Sequence, residues 1–210
     1  MDRYKKHQLI ASICVTLFIM SFSLCLLVMN RSVFKKCAVD KETITSAEAI
    51  LNYEQLADDF ETFFSKKYNV SGYEILNENV NKLNELKVYY RWAWVISVIC
   101  VIVAIYSFTI ISKRRDFTPF LYGGIFAAFL TSINAFVLIK SDKPIFEALR
   151  NMIFREDYSY FSEGDILLQI MPPDYAKWLA LTYIFIVIIL ILTMIFIRAF
   201  IIFCGRPHKF

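Results

Sequence analysis

Four long runs without a single charged side chain constrain this chain more than anything else in it. Residues 9–29, 92–112, 120–139 and 178–197 contain no Lys, Arg, Asp or Glu. Each has the length of about 20 residues that a helix needs to cross roughly 30 Å of hydrocarbon. Backbone amides and carbonyls in hydrocarbon have no water to bond, so each run must satisfy its own as a helix. Hydrophobic residues make up 58% of the 210 positions, against about 45–50% in soluble domains, which leaves no room for a second, soluble core. The chain therefore reads as all-α: a polytopic membrane protein, a four-transmembrane-helix bundle with two outer helical segments. Residues 1–210 form a single integral membrane domain on this reading, with outer segments at 30–91 and 140–177.

The first run begins as a secretory signal does, with Arg3, Lys5 and Lys6 ahead of it. Signal cores, however, span about 7–15 apolar residues and close on a small-residue cleavage site. This run is longer and leaves through Leu26-Leu27-Val28-Met29-Asn30-Arg31. The bulky Leu24 before Cys25 also makes a poor lipoprotein-processing signal. A retained first helix is expected.

Charge sets the orientation. The segment before the first run, the 113–116 connection and the tail together carry nine basic and two acidic residues, while the two larger segments carry fourteen basic and seventeen acidic. The short basic segments belong in the cytoplasm by the positive-inside rule. The expected arrangement is a multi-pass protein of the cell membrane with its N- and C-termini cytoplasmic. The net charge of +4 then reports topology, and nucleic acid is not an expected partner.

Of five cysteines, Cys14, Cys25, Cys100 and Cys204 lie in or at the ends of apolar runs, where the thiol acts as a small hydrophobe. Cys37 alone falls in an outer segment, so no cystine framework is expected there. No zinc spacing occurs, and His7 and His208 both lie on the cytoplasmic side. No metal or cofactor is implied.

In the first outer segment, Thr45-Ser46-Ala47-Glu48 fits a capping box. Ile50, Tyr53, Leu56, Ala57, Phe60, Phe63 and Phe64 follow at helical spacing, with Asp58, Asp59 and Glu61 on the other face. Asn69-Val70-Ser71-Gly72 breaks the pattern. A second helix carrying Leu76, Val80, Leu83 and Leu86 runs on into the second span. A cap packed on the bundle suits these helices better than a surface resting among headgroups, since their polar faces are acidic. Trp92, Trp94, Tyr175 and Trp178 mark the outer interface as an aromatic belt.

The second outer segment is too apolar for a plain connector. Asp142 and Pro144 suit a helix start, with Ile145, Leu149 and Met152 on one face. Asp165 can cap a turn through Ile166-Leu167-Leu168, and Asp174 caps the fourth span. So much Phe, Tyr, Leu and Ile must bury against the bundle or dip into the interface, and a re-entrant element needs protein around it. Within the spans, Thr131, Ser132 and Asn134 form one polar patch; bonding between helices accounts for it, and the rival is the wall of a substrate pocket. Gly123-Gly124 permits close helix packing. With no ionisable side chain at mid-membrane, a proton-coupled pump or ion channel has little to work with.

The order Phe154-Arg155-x-Asp157, Phe161, Asp165-x-Leu167-Leu168-x-x-Met171-Pro172-x-x-Tyr175 resembles the second outer loop of a bacterial integral membrane family that includes the lipoprotein intramolecular transacylases. Length, span number and a helical first outer segment are similar over essentially the whole chain. The resemblance implies handling of the acyl chains of lipoproteins at the outer leaflet. In the family's reaction an acyl chain moves from the diacylglyceryl group of the lipoprotein's N-terminal Cys to that residue's α-amine, through a base or nucleophile and oxyanion donors. The implied partners are membrane lipid and diacylated lipoprotein.

Such a family uses two outer-face histidines, whose positions here fall at Leu76 and Arg150, and a loop tryptophan, whose position falls near Ser159. Asn79 and Val80 align with an Asp-Val pair. An imidazole mechanism is therefore closed to this sequence, because Leu76 moves no proton and Arg150 stays protonated. Glu147 or Asp157 as base, with Arg150 stabilising an oxyanion, is one replacement; Asn79, Arg155, Asn134 and Asp165 are candidate binding residues. Solvated loop ion pairs, each worth little, explain Glu147, Arg150, Arg155 and Asp157 equally well. The alternative function is a non-catalytic membrane component that binds a protein or lipid partner through its outer helical segments. Arg150 and Asp157 are expected at the outer mouth of the bundle, near the start of the second span.

Overall fold

The computed structural model describes residues 3–38, 44–62, 68, 75, 77–111, 117–140, 170 and 175–204; the side chains at 3, 77–78, 134–140, 175–177 and 204 lie outside that description. The described elements are helical throughout: α1 (Arg3–Met29), α2 (Ser32–Cys37), α3 (Ser46–Glu61), α4 (Asn77–Ile111), α5 (Thr118–Lys140) and α6 (Tyr175–Cys204). Tyr4–Met29, Asn79–Ile111 and Trp178–Phe203 are long and apolar enough to cross a membrane, and Thr118–Ile133 is a shorter apolar stretch. α1, α5 and α6 contain the first, third and fourth uncharged runs. α4 holds the second up to Ile111, and Ser112 lies outside the described residues.

The chain forms two compact units. One comprises Met1–Cys25, Trp92–Ala135 and Tyr183–Phe210, the other Leu26–Arg91 and Phe136–Thr182.

In the first unit, buried Val15, Ile19, Ala127 and Val187 form a core that Phe108, Phe120, Tyr183 and Ile191 pack against. Gly123 shows why α5 approaches α1 so closely. A Cβ there would meet Val15 Cγ1 at 2.6 Å and the Ser12 carbonyl at 2.9 Å, so only a hydrogen fits. The same approach lets the Thr16 hydroxyl donate to the Gly123 carbonyl at 3.1 Å. The hydroxyls of Ser21 and Ser97 bond across α1 and α4 at 2.7 Å. Each of these hydroxyls also donates or lies close to a carbonyl of its own helix, which keeps polar groups satisfied without water.

The outer surface of this unit is apolar. Phe203 is 76% exposed, Phe196 69% and Ile102 61%. A contiguous apolar exterior of this kind has no stable solution in water and a natural one in hydrocarbon. The protein is an integral membrane protein.

The second unit has a small core of Val33, Phe34, Ile44, Ala49 and Ile170, with Tyr53, Ile75 and Leu179 against it. Phe34 stacks on Tyr53 with ring centroids 3.8 Å apart and planes 3° from parallel. Ile170 lies between the third and fourth uncharged runs, and at this residue that connection buries apolar surface with α2 and α3.

Candidate functional site

The stretch from residue 30 to residue 62 is built as its sequence requires, with one addition. Thr45 and Glu48 close the anticipated capping box: the Thr45 amide and hydroxyl donate to the Glu48 carboxylate at 3.0 and 2.9 Å, and the Glu48 amide donates to Thr45 Oγ1 at 3.3 Å. These bonds hold the Glu48 carboxyl below its ordinary value, the amide of Thr45 first and its hydroxyl second. Leu56 and Ala57 turn inward, as helical spacing requires, and Asp58 is an exposed ion-pair partner. α2, only six residues long, was not anticipated. It starts where the Ser32 amide donates to Asn30 Oδ1 at 3.2 Å. A run as short as Ser32–Cys37 carries too little periodicity to declare itself.

Charged side chains clamp α2 and the chain before it to α3. Arg31 reaches Asp58 at 2.7 Å and Glu61 at 3.1 Å, and Lys35 reaches Glu54 at 2.6 Å. The acidic face that the sequence placed opposite the apolar stripe thus has its cations supplied from the preceding turn.

The end of α3 is held from α4. Lys87 is 1% exposed, and its ammonium donates to the Asp59 carbonyl at 2.6 Å, in the last turn of α3. A cation there meets the negative end of the helix dipole. The Lys87 nitrogen also lies 5.5 Å from the centre of the Tyr68 ring. Tyr68 donates its phenol to Asn84 Oδ1 at 3.2 Å, and burial pushes that phenol up to about 12. Sequence reasoning passed over Lys87. Its signal was present in the apolar order Val80, Leu83, Leu86: the inward face of α4 also takes in position 87, a turn beyond Leu83.

Of the candidate site residues, Asn79 is completely buried within α4. The backbone of Asn134 lies in α5, but its side chain is outside the described residues. Glu147, Arg150, Arg155, Asp157 and Asp165 lie outside them entirely, as do Leu76, Ser159 and the proposed helix after Pro144. The polar patch of α5 divides. Thr131 donates to Ala127 O at 2.8 Å and lies 3.6 Å from Met20 Sδ of α1, whereas among the described residues Ser132 donates within its own helix, to Ala128 O. Thr131 thus supports the packing explanation. Among the described residues, no group of three or more His, Cys, Asp or Glu is placed to hold a metal ion.

Comparison with known proteins follows the same direction. The model of the family described as "Lipoprotein intramolecular transacylase Lit" matches residues 9–176. Two solved structures of the membrane-integral Lit from Bacillus cereus superpose with TM-scores of 0.84, each at 13% identity and covering 95% of this chain and 92% or 95% of theirs. A third, at 14% identity, gives 0.82 over 95% of this chain and 93% of its own. One of the first two and the third carry a histidine substitution. At such identity the likeness speaks for the fold. No curated protein matches the chain.

Proposed function

The chain belongs to the lipoprotein intramolecular transacylase Lit family, and from that premise we propose that it handles the acyl chains of lipoproteins at the outer leaflet of the cell membrane. The observation that supports this best is the extent of the family match, which runs through the first outer segment and on to residue 176, and so includes the Phe154-to-Tyr175 pattern. The proposed frame has four spans and cytoplasmic termini. It rests on the basic excess of the short segments.

Acyl transfer in this frame breaks the ester to the glyceryl oxygen and forms an amide at the α-amine of the lipoprotein's N-terminal Cys. The amine proton passes to a base and on to the departing glyceryl oxygen. Both histidines of this chain, His7 and His208, lie outside 30–91 and 140–177, so the base is a carboxylate: Glu147 or Asp157, with Arg150 facing the oxyanion. Arg155, Asp165, Asn79 and Asn134 fill binding roles. The missing imidazoles equally favour a second reading, in which the protein holds a diacylated lipoprotein, or another protein or lipid, through its outer helices and does no chemistry.

Expression in bacterial cells that lack lipoprotein N-acylation separates the two. Mass spectrometry of lipopeptides that finds N-acylated, lyso-type N-termini establishes the transfer. Unchanged diacylated termini remove it and leave the binding reading.

A further inference from the structure

The first unit contains a cavity of about 220 Å³ between α1, α4, α5 and α6, with Cys14, Phe18, Ala104, Phe108, Phe120 and Met194 among its walls. We propose that it is a binding site for one acyl chain of an anionic phospholipid, separate from the outer segments.

Every side chain on its wall is aliphatic, aromatic or sulfur-bearing. Water finds no bonding partners in such a space: an apolar cavity of about 150 Å³ stays dry and takes up benzene. This one is larger. Hydrocarbon fills it without stranding a polar group. Access is lateral. Val101 and Ile105 belong to the wall yet are 40% and 60% exposed, on the apolar exterior of an integral membrane protein. What meets that mouth in a bilayer is the tail of a lipid.

The headgroup preference comes from two positions one and two helical turns beyond wall residues. Arg198 lies four residues beyond Met194 on α6, hence on the same face one turn further toward the helix end. Its Nε is enclosed and has no hydrogen-bond partner among the described residues. On α1, His7 precedes Cys14 by seven residues, two turns along the same face, and its Nδ1 is enclosed in the same way. His7 also meets Tyr106 edge-on at 5.9 Å, and Tyr106 directly follows the mouth residue Ile105. The forked donors of an Arg at the end of an apolar helix suit the phosphate that every phospholipid carries, and its charge favours a headgroup that is negative overall.

The test uses the full chain in phosphatidylcholine vesicles, with phosphatidylglycerol carrying a photoreactive diazirine near the end of one acyl chain. A matched phosphatidylcholine probe serves as comparison. Adducts mapped by mass spectrometry are expected to concentrate on the α4 stretch from Cys100 to Phe108 and around Met194, several-fold more from the anionic probe. Ala104→Trp, which fills the space, removes those adducts and leaves labelling elsewhere intact. Val101→Trp at the mouth does the same if the first variant fails to fold. Arg198→Gln keeps the adducts and abolishes the headgroup preference. Adducts spread evenly over exposed Phe185, Phe196 and Phe203, or unchanged in both tryptophan variants, overturn the site. Equal labelling by the two probes overturns its anionic preference.

Discussion

Gly123 of α5 lies so close to Val15 of α1 that a methyl group on it would sit 2.6 Å from Val15 Cγ1 and 2.7 Å from Val15 Cβ. Neither atom is the far end of a flexible chain, so the helices themselves must part to admit it. Gly123→Ala is expected to destabilise the bundle by about 1–3 kcal/mol, the range for overpacking a well-filled core. Gly124 is the internal comparison. Among the described residues a methyl there meets Ile191 Cγ2, at the ordinary edge of contact of 3.4 Å, and Gly124→Ala should be close to neutral. Thermal unfolding of both variants in detergent decides it; equal melting temperatures would remove the close-approach argument.

The Thr45–Glu48 box makes the start of α3 sensitive to acid. Bonding to Thr45 lowers the Glu48 carboxyl from 4.5 in the folded chain. A depressed carboxylate contributes stability that is complete above its unfolded value and disappears as pH falls through the folded one. Protection factors of the amides over residues 46–50, which allow for the slowing of intrinsic exchange in acid, should therefore fall below about pH 4.5, while the same amides in Thr45→Ala should be less protected at neutral pH and lose less protection in acid. Identical pH profiles in the two proteins would show that the box does not govern this turn.

Lys87 tests how the first outer segment is fastened. Its ammonium bonds the Asp59 carbonyl from a nearly inaccessible position, so replacement removes that bond at the end of a helix. Lys87→Met keeps the apolar stem and removes the ammonium, with its bond to Asp59 and its place over the Tyr68 ring; a cost of about 1–3 kcal/mol is expected. The Arg31 pairs behave differently. With Arg31 28% and Asp58 68% exposed, screening by water and salt limits them, and Arg31→Gln should cost about 1 kcal/mol or less. Hydrogen exchange over α3 that rises more in Arg31→Gln than in Lys87→Met would reverse this order.

The parts of the fold legible in the sequence were those written as long, regular patterns. Uncharged runs announced α1, α5 and α6, and the order Leu76, Val80, Leu83, Leu86 announced that α4 begins well before its apolar stretch, as it does at Asn77. Thr45 to Glu48 gave the start of α3 to the residue because a reciprocal cap depends on two positions three apart. Features resting on pairs distant in sequence stayed hidden. Ser21 with Ser97, Met20 with Thr131 and Tyr183, and Lys87 with Asp59 each require knowing which helix faces which. Serines and a methionine in apolar helices carry no periodic signature. For the candidate site, the sequence spoke mainly through what 30–91 and 140–177 lack, histidine, together with a spaced pattern from Phe154 to Tyr175. Which side chains converge there is set by tertiary packing, which no local pattern encodes.

Cys37 offers a direct reading of the proposed orientation. It closes α2 as a half-exposed thiol, whereas Cys14, Cys25 and Cys100 are buried. A membrane-impermeant maleimide added to intact cells should therefore label the wild-type chain, and Cys37→Ser should lose that label. The tail, which the proposed orientation places in the cytoplasm, supplies the opposite control. Arg206→Cys in a Cys37→Ser background should react only after the membrane is permeabilised. The physical reason is the charge distribution: carrying the basic ends of this chain outward runs against the bias that holds Lys and Arg in the cytoplasm. Labelling of Arg206→Cys in intact cells, with Cys37 protected until permeabilisation, would invert the topology. An outer-leaflet role for residues 30–91 and 140–177 would fall with it, whatever acyl chemistry the family performs.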